Sequence, residues 1–216
     1  MLIFVTGASG SGKTAVIPGL RKRLPEFDIH DFDERDVPSN ADTHWRQQQT
    51  EYWINKGIEN QRRGRDTIIC GGAVYGEILA CPSIHQIDDL AVCLLDCSDI
   101  VRIDRMRRRG TNEPTMEMLC WAAWLRVHAV DPSWCPEVIM EDSYDSMKWE
   151  NWQGWERGDP RWHQPVVDTS GKKIDQITTE VVKWIEGEVS ASYKDVRPDE
   201  LRDDDLREED NGMPGS

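Results

Sequence analysis

The chain has 216 residues, 38% of them hydrophobic, which suffices for one α/β domain with a full core and a short appendage but not for a second enzymatic domain. Its formal net charge of −14 argues against broad docking on nucleic-acid backbones or anionic membranes, because such surfaces require clustered Lys and Arg. No apolar run approaches the roughly 20 residues that cross a bilayer, so the expectation is a soluble protein with no membrane partner.

The first element is Leu2-Ile3-Phe4-Val5-Thr6, a short apolar run closed by a glycine-rich turn, as in a buried parallel strand that feeds a helix. That helix should start near Gly12 and run toward Leu24, with Pro18 removing one amide donor and kinking it. A second strand is expected over Asp28 to Phe32. From Ala41 to Arg63 the sequence is polar, with Trp45, Gln49, Tyr52, Trp53 and Lys56 near helical spacing, which predicts a helix with a partly aromatic face. Thr67 to Cys70, Ala91 to Leu95 and Pro165 to Asp168 supply three more strands. Ile174, Ile177, Val181, Trp184, Ile185 and Val189 then recur at helical spacing and predict a closing amphipathic helix. Five short strands alternating with helical stretches indicate an α/β fold, a parallel sheet covered on both faces. Residues 188–216 hold ten acidic and four basic side chains with few large apolar groups, which predicts an acidic tail, disordered or a solvated helix. The six cysteines, at 70, 81, 93, 97, 120 and 135, make no CxxC pair and no zinc spacing, and no secretory leader precedes them. They are expected to be reduced thiols of a cytoplasmic protein, serving as small hydrophobes.

Gly7-Ala8-Ser9-Gly10-Ser11-Gly12-Lys13-Thr14 matches GxxxxGK[ST] in full, directly after a predicted strand and before a helix. Glycines let the backbone wrap an anion with its amides turned inward, and the helix N-terminus adds partial positive charge. Lys13 can reach the β- and γ-phosphates of a nucleotide, and the Thr14 hydroxyl is placed to ligate Mg²⁺. The chain has no NKxD-type guanine signature and no strand ending in paired acids of the DE type. Both absences favour transfer of the phosphoryl group to a second substrate over a switch or a motor.

The order of these motifs resembles the shikimate, gluconate and adenylate kinase group of P-loop kinases over residues 1–187. That likeness implies a three-layer P-loop fold with a five-stranded parallel sheet of order 2-3-1-4-5, and a lid with a Trp-rich insertion at about 105–163. It implies ATP as donor, Mg²⁺ as metal and a small-molecule acceptor such as a metabolite, nucleoside or antibiotic. Asp31-Phe32-Asp33 is similar to the group's DxD element, which gives Asp31 a role at the metal and Asp33 one at the acceptor hydroxyl. A carboxylate is needed to orient that hydroxyl and take its proton, and two acids on alternate positions of an extended segment can serve different partners. Gly71-Gly72 is similar to the group's glycine loop beside the acceptor, although Ala73 replaces a third glycine. The segment from Asp96 through Arg102 to Arg109 looks like the fourth strand and the entrance to the lid. Arg105 and Arg109 thereby become candidates for stabilising the transferring phosphoryl group, and Arg105 also for contacting the nucleotide. Arg126 is a second lid candidate, Arg46 could meet the acceptor, and Asp168 falls in what resembles the adenine-side loop.

Seven tryptophans, at 121, 124, 134, 149, 152, 155 and 162, crowd the stretch between Glu113 and His163. Either they form an enlarged pocket whose indoles stack on a flat or sugar-like ligand, or they staple the insertion to the core. A second function class stays open on the sequence: a nucleotide-dependent regulatory ATPase or switch that binds a protein partner through the acidic tail.

Overall fold

The computed structural model describes residues 1–110 and 113–195. Five strands, β1 (Leu2–Thr6), β2 (Asp28–Asp31), β3 (Thr67–Gly71), β4 (Leu90–Asp96) and β5 (Val166–Asp168), form one parallel sheet in the order β2-β3-β1-β4-β5. All five are those expected, within a residue or so at their ends. β1 lies at the centre, with Thr6 level with Gly71 on one side and Leu94 on the other. Its loop therefore leaves from the middle of the sheet's carboxyl edge, where open α/β sheets place their ligands.

Successive side chains of β1 point to opposite faces, and that alternation divides the core in two. Ile3 and Val5 pack beneath α1 (Lys13–Arg23) and α7 (Ile174–Asp195), through Val16, Leu20, Ile177, Val181 and Ile185. Leu2 and Phe4 face α2 (Thr43–Gln61), α3 (Tyr75–Ala80) and α5 (Met116–His128), through Trp53, Ile54, Ile78, Trp124 and Leu125. Among the described residues the remaining α-helices are α4 (Asp99–Arg109) and the single turn α6 (Glu137–Met140). Asp42 caps α2 by accepting from the Trp45 amide at 2.8 Å, and Thr115 caps α5 through Met118. Ser98 takes the cap position of α4 without a side-chain bond, and its amide instead donates to Ser170 Oγ at 2.8 Å. α1 runs from Lys13 to Arg23 with Pro18 inside it.

The closing helix runs beyond Val189, the last position of its expected pattern. It continues to Asp195, and Ser192 Oγ donates to Asp89 Oδ2 at 2.7 Å, which ties its far end to the start of β4. The rest of the expected acidic tail lies outside the described residues. Cys70, Cys81, Cys93 and Cys97 are buried and burial pushes each thiol above its ordinary range, as a packing role requires. Among the described residues no helix is long and apolar enough to cross a membrane.

The Trp-rich stretch is largely core. Trp124, Trp152 and Trp162 are buried against the β1–α3 face, and each indole N–H finds a backbone carbonyl: Cys135, Gly76 and His128 respectively. Trp121, Trp149 and Trp155 pack on the same cluster, and only Trp134 is exposed. Ala122, Trp124, Leu125 and His128 bury one face of α5. Of the two readings of the tryptophans, these contacts support the stapling one, because an indole with its N–H satisfied inside the protein has no donor left for a ligand. Much of the stretch expected to form a lid and insertion, 105–163, is thus packed on the core through these tryptophans, while Met116 at the start of α5 stays exposed.

Candidate nucleotide and phosphoryl-transfer site

The Gly7–Thr14 loop has the conformation that its glycines permit. Gly7, Gly10 and Gly12 hold φ of 148°, 80° and 108°, a region that residues with a Cβ rarely adopt. At Gly7 a Cβ would also run into the Leu95 carbonyl. The outward-facing carbonyls are each held from behind. Arg102 donates to Ser9 O, Arg105 Nη1 to Gly10 O at 3.1 Å, and Thr169 Oγ1 lies 3.0 Å from Ser11 O. A peptide unit is planar, so a carbonyl fixed outward sends the next amide inward. This backing pre-forms an anion cradle at the N-terminus of α1.

Lys13 Nζ folds over the loop and donates to Ala8 O at 3.0 Å. The chain packed about this amine pushes its pKa down from 10.5 to about 8; Arg102 and Arg109 push the same way, and Asp33 and Asp31 pull against them. The Thr14 side chain is exposed at the mouth of the loop.

A cleft of about 780 Å³ opens over the loop. It brings together Lys13, Thr14, Asp33, Arg105 and Arg109, which come from three separate segments of the chain, and Ser9, Gly10 and Gly12 line it too. Its far wall is Met106, Lys172, Ile174 and Ile177. The Asp33 carboxyl, on the open rim, is held above the ordinary range by desolvation and then by Asp31, with Lys13 and Arg109 opposing. Asp31 Oδ1 accepts the Asp33 amide at 3.0 Å, which sets the turn that projects Asp33.

Several expected site residues have other partners here. Arg46 is clamped on Glu77, Nε to Oε2 at 2.9 Å and Nη2 to Oε1 at 2.6 Å, with Glu77 fully buried and Gln47 on the same carboxylate. That makes Arg46 part of a buried network between α2 and α3 and does not leave its fork free for an acceptor. Gly71 packs so tightly on Phe32 that a Cβ would overlap the Phe32 side chain, so the glycine there serves the β2–β3 approach; Gly72 has open space around it, and neither lines the cleft. Arg126 pairs with Asp96 at 2.6 Å and Asp99 at 3.6 Å. Asp168 faces solvent, and the Ser170 amide donating to it at 2.8 Å holds its carboxyl below the usual range. Beside it, Thr169 is the residue that touches the loop, and it accepts Arg105 Nη1 at 2.9 Å while its carbonyl accepts Nη2 at 2.7 Å.

Arg102 and Thr169 are the functional positions that sequence reasoning did not single out. Arg102 is fully buried beneath the loop with Asp96 as its ion partner at 2.6 Å. Its one signal is a charged residue three before Arg105 on the inner face of α4, where an apolar side chain is the ordinary occupant.

A family model described as an AAA domain matches residues 3–119, more than half of the chain and all of the loop, Asp31, Asp33 and α4. The chain belongs to the AAA domain family. No curated protein matches its sequence. Among solved structures, this AAA domain is similar to a sugar kinase from Janibacter sp. HTCC2649, with 16% identity and a TM-score of 0.54 over 86% of this chain and 94% of that one. It is similar to a gluconokinase from Sinorhizobium meliloti 1021, with 15% identity and a TM-score of 0.51 over 90% of this chain and 97% of that one. A tunicamycin resistance protein from Deinococcus radiodurans matches with 14% identity and a TM-score of 0.51 over 85% and 94%. At these identities the likeness establishes the fold, which is that of the P-loop kinases.

Proposed function

We propose that the chain is an ATP- and Mg²⁺-dependent phosphotransferase that moves the γ-phosphoryl group to a hydroxyl of a small molecule. The observation that carries this reading is the cleft itself: a carboxylate, Asp33, lines the same cavity as Lys13, Arg105 and Arg109. A hydrolytic switch has no need of a carboxylate that can receive an alcohol proton, whereas transfer to an acceptor does. The structural relatives named as a sugar kinase and a gluconokinase agree with an acceptor of that size.

The residues fit the nucleotide and its metal. The positive-φ cradle and Lys13 would hold the polyphosphate, Arg105 and Ile174 would border the base side, and Thr14 with Asp31 would complete the coordination of Mg²⁺. Among the described residues no cluster of three or more His, Cys, Asp or Glu could enclose a metal ion, which agrees with an ion held chiefly by phosphates and water. When bound, Mg²⁺ would offset negative charge on the phosphates. The chain's own contributions follow from the geometry. The loop amides and Lys13 bind and align the phosphates, Arg109 opposes the charge that develops on the phosphoryl oxygens, and Arg105, whose Nη1 and Nη2 hold Gly10 and Thr169, keeps the cradle in shape. Asp33 orients the acceptor hydroxyl and takes its proton, and its raised pKa makes it a better proton acceptor than an ordinary carboxylate.

A mass-spectrometric phosphate-transfer screen over sugars, sugar acids, nucleosides and antibiotics tests the reading. With an acceptor in hand, Asp33→Asn should lose on the order of 10²-fold or more in turnover while still binding nucleotide. Turnover intact in Asp33→Asn but abolished in Lys13→Ala would remove Asp33 from the mechanism.

A further inference from the structure

The backing of the loop is continuous with the insertion. One carboxylate, Asp96 at the end of β4, serves two guanidiniums with separate oxygens: Oδ1 to Arg102 Nη2 and Oδ2 to Arg126 Nε, each at 2.6 Å. Arg102 in turn donates to Ser9 O inside the phosphate loop. Arg126 belongs to α5, whose opposite face is fixed in the tryptophan-rich core. We propose that Asp96 is a positioning residue whose pairing with Arg126 makes the seating of the insertion helix part of the nucleotide site, through Arg102 and the Ser9–Gly10 peptide. This rests on the nucleotide-binding reading above.

The physical case is one of buried charge. Arg102 is fully buried, Asp96 is its single ion partner among the described residues, and its Nε has no hydrogen-bond partner. A guanidinium so placed is held by few bonds, and a change in any one of them is felt by the rest. With Arg126 present, Asp96 is pulled from both sides and presents a single oxygen to Arg102, whose other arm is then free for Ser9 O. Without Arg126, the carboxylate can turn both oxygens on Arg102, the bidentate arrangement that guanidiniums favour, and draw it off the loop carbonyl. The Ser9–Gly10 peptide would then lose the contact that keeps the Gly10 amide turned toward the phosphates. Arg126 is partly exposed, so its replacement does not open a cavity.

The test is a binding titration of the full chain with a fluorescent ATP analogue and Mg²⁺, which needs no acceptor. Arg126→Gln should weaken binding roughly fivefold, and Arg126→Lys, which keeps a cation for Asp96, should recover much of the loss. In an Asp96→Asn background, Arg126→Gln should add nothing. An unchanged dissociation constant for a folded Arg126→Gln protein would overturn the inference. So would an equal loss in both backgrounds, since Arg126 would then touch the nucleotide directly. Should Asp96→Asn fail to fold, the contrast between Gln and Lys at 126 decides it, because equal losses in the two refute a charge-mediated link. Failure of the wild type to bind any purine triphosphate would overturn the nucleotide reading itself, and this inference with it.

Discussion

The depressed pKa of Lys13 makes nucleotide binding a proton-linked event. With a pKa of about 8 in the free protein, roughly nine molecules in ten carry the Lys13 proton at pH 7, half at pH 8 and about one in eleven at pH 9. Polyphosphate at the loop restores the charge, because an anion beside the amine favours its protonated form. Binding at high pH therefore takes up a proton, and the apparent dissociation constant should rise about tenfold from pH 7 to pH 9. Calorimetry with a non-hydrolysable ATP analogue and Mg²⁺, run in two buffers of different ionisation enthalpy, measures that uptake. The expected values are about 0.1 proton at pH 7, about 0.5 at pH 8 and about 0.9 at pH 9. Lys13→Met should bind weakly and without this pH dependence. Affinity that is level from pH 7 to 9, with heats that do not depend on the buffer, would show that the amine is charged throughout and would refute the desolvation argument.

His128 gives a stability prediction at the acid end. Its ring is buried, stacked on Trp124 at 4.4 Å between centroids and edged by Trp162 at 4.9 Å, with neither nitrogen hydrogen-bonded. Desolvation holds its pKa down at about 3, so the folded form refuses a proton that the unfolded chain accepts below about 6.5. The neutral ring's contribution is present above pH 6.5 and is lost as the pH falls toward 3, about 2 kcal/mol by pH 5. Urea titrations at pH 7.5 and pH 5 should differ by that amount, and His128→Phe should lessen the difference; an equal difference in both proteins would contradict it. Gly71→Ala should cost about 3 kcal/mol or more, because the added methyl overlaps Phe32 between two buried strands. Gly72→Ala, where the space is open, should cost far less, and equal melting temperatures for the two variants would sink that account.

How much of this was legible in the chain differs from residue to residue. The loop was legible because backbone chemistry dictates it: three turns through positive φ admit little but glycine, so the pattern appears wherever an anion must be wrapped. The central strands were legible because a parallel strand buried on both faces is apolar except near its ends, as Leu2–Thr6 and Thr67–Gly71 are. Asp33, Arg105 and Arg109 were reached through a resemblance in motif order, and the cleft unites them. Partnership was not legible. Arg46, Arg102 and Arg126 are the same residue type on helices, yet one is locked to Glu77, one is buried under the loop and one is shared with Asp99. Gly71 and Gly72 are adjacent and identical, yet one is demanded by Phe32 and the other by nothing nearby. The tryptophans' spacing admits both pocket and core, and the bonds from their indole N–H groups to Cys135, Gly76 and His128 favour core.

The sequence by itself determined the phosphate cradle and the apolar strands, since these follow from local backbone geometry and from apolar runs that water excludes, while the order of the strands was only what a resemblance implied. Only the tertiary structure decided which charges are spent on one another and which face the cleft. A side chain's partner is set by residues distant in the chain, and an ion pair leaves no mark on the sequence positions of its two halves.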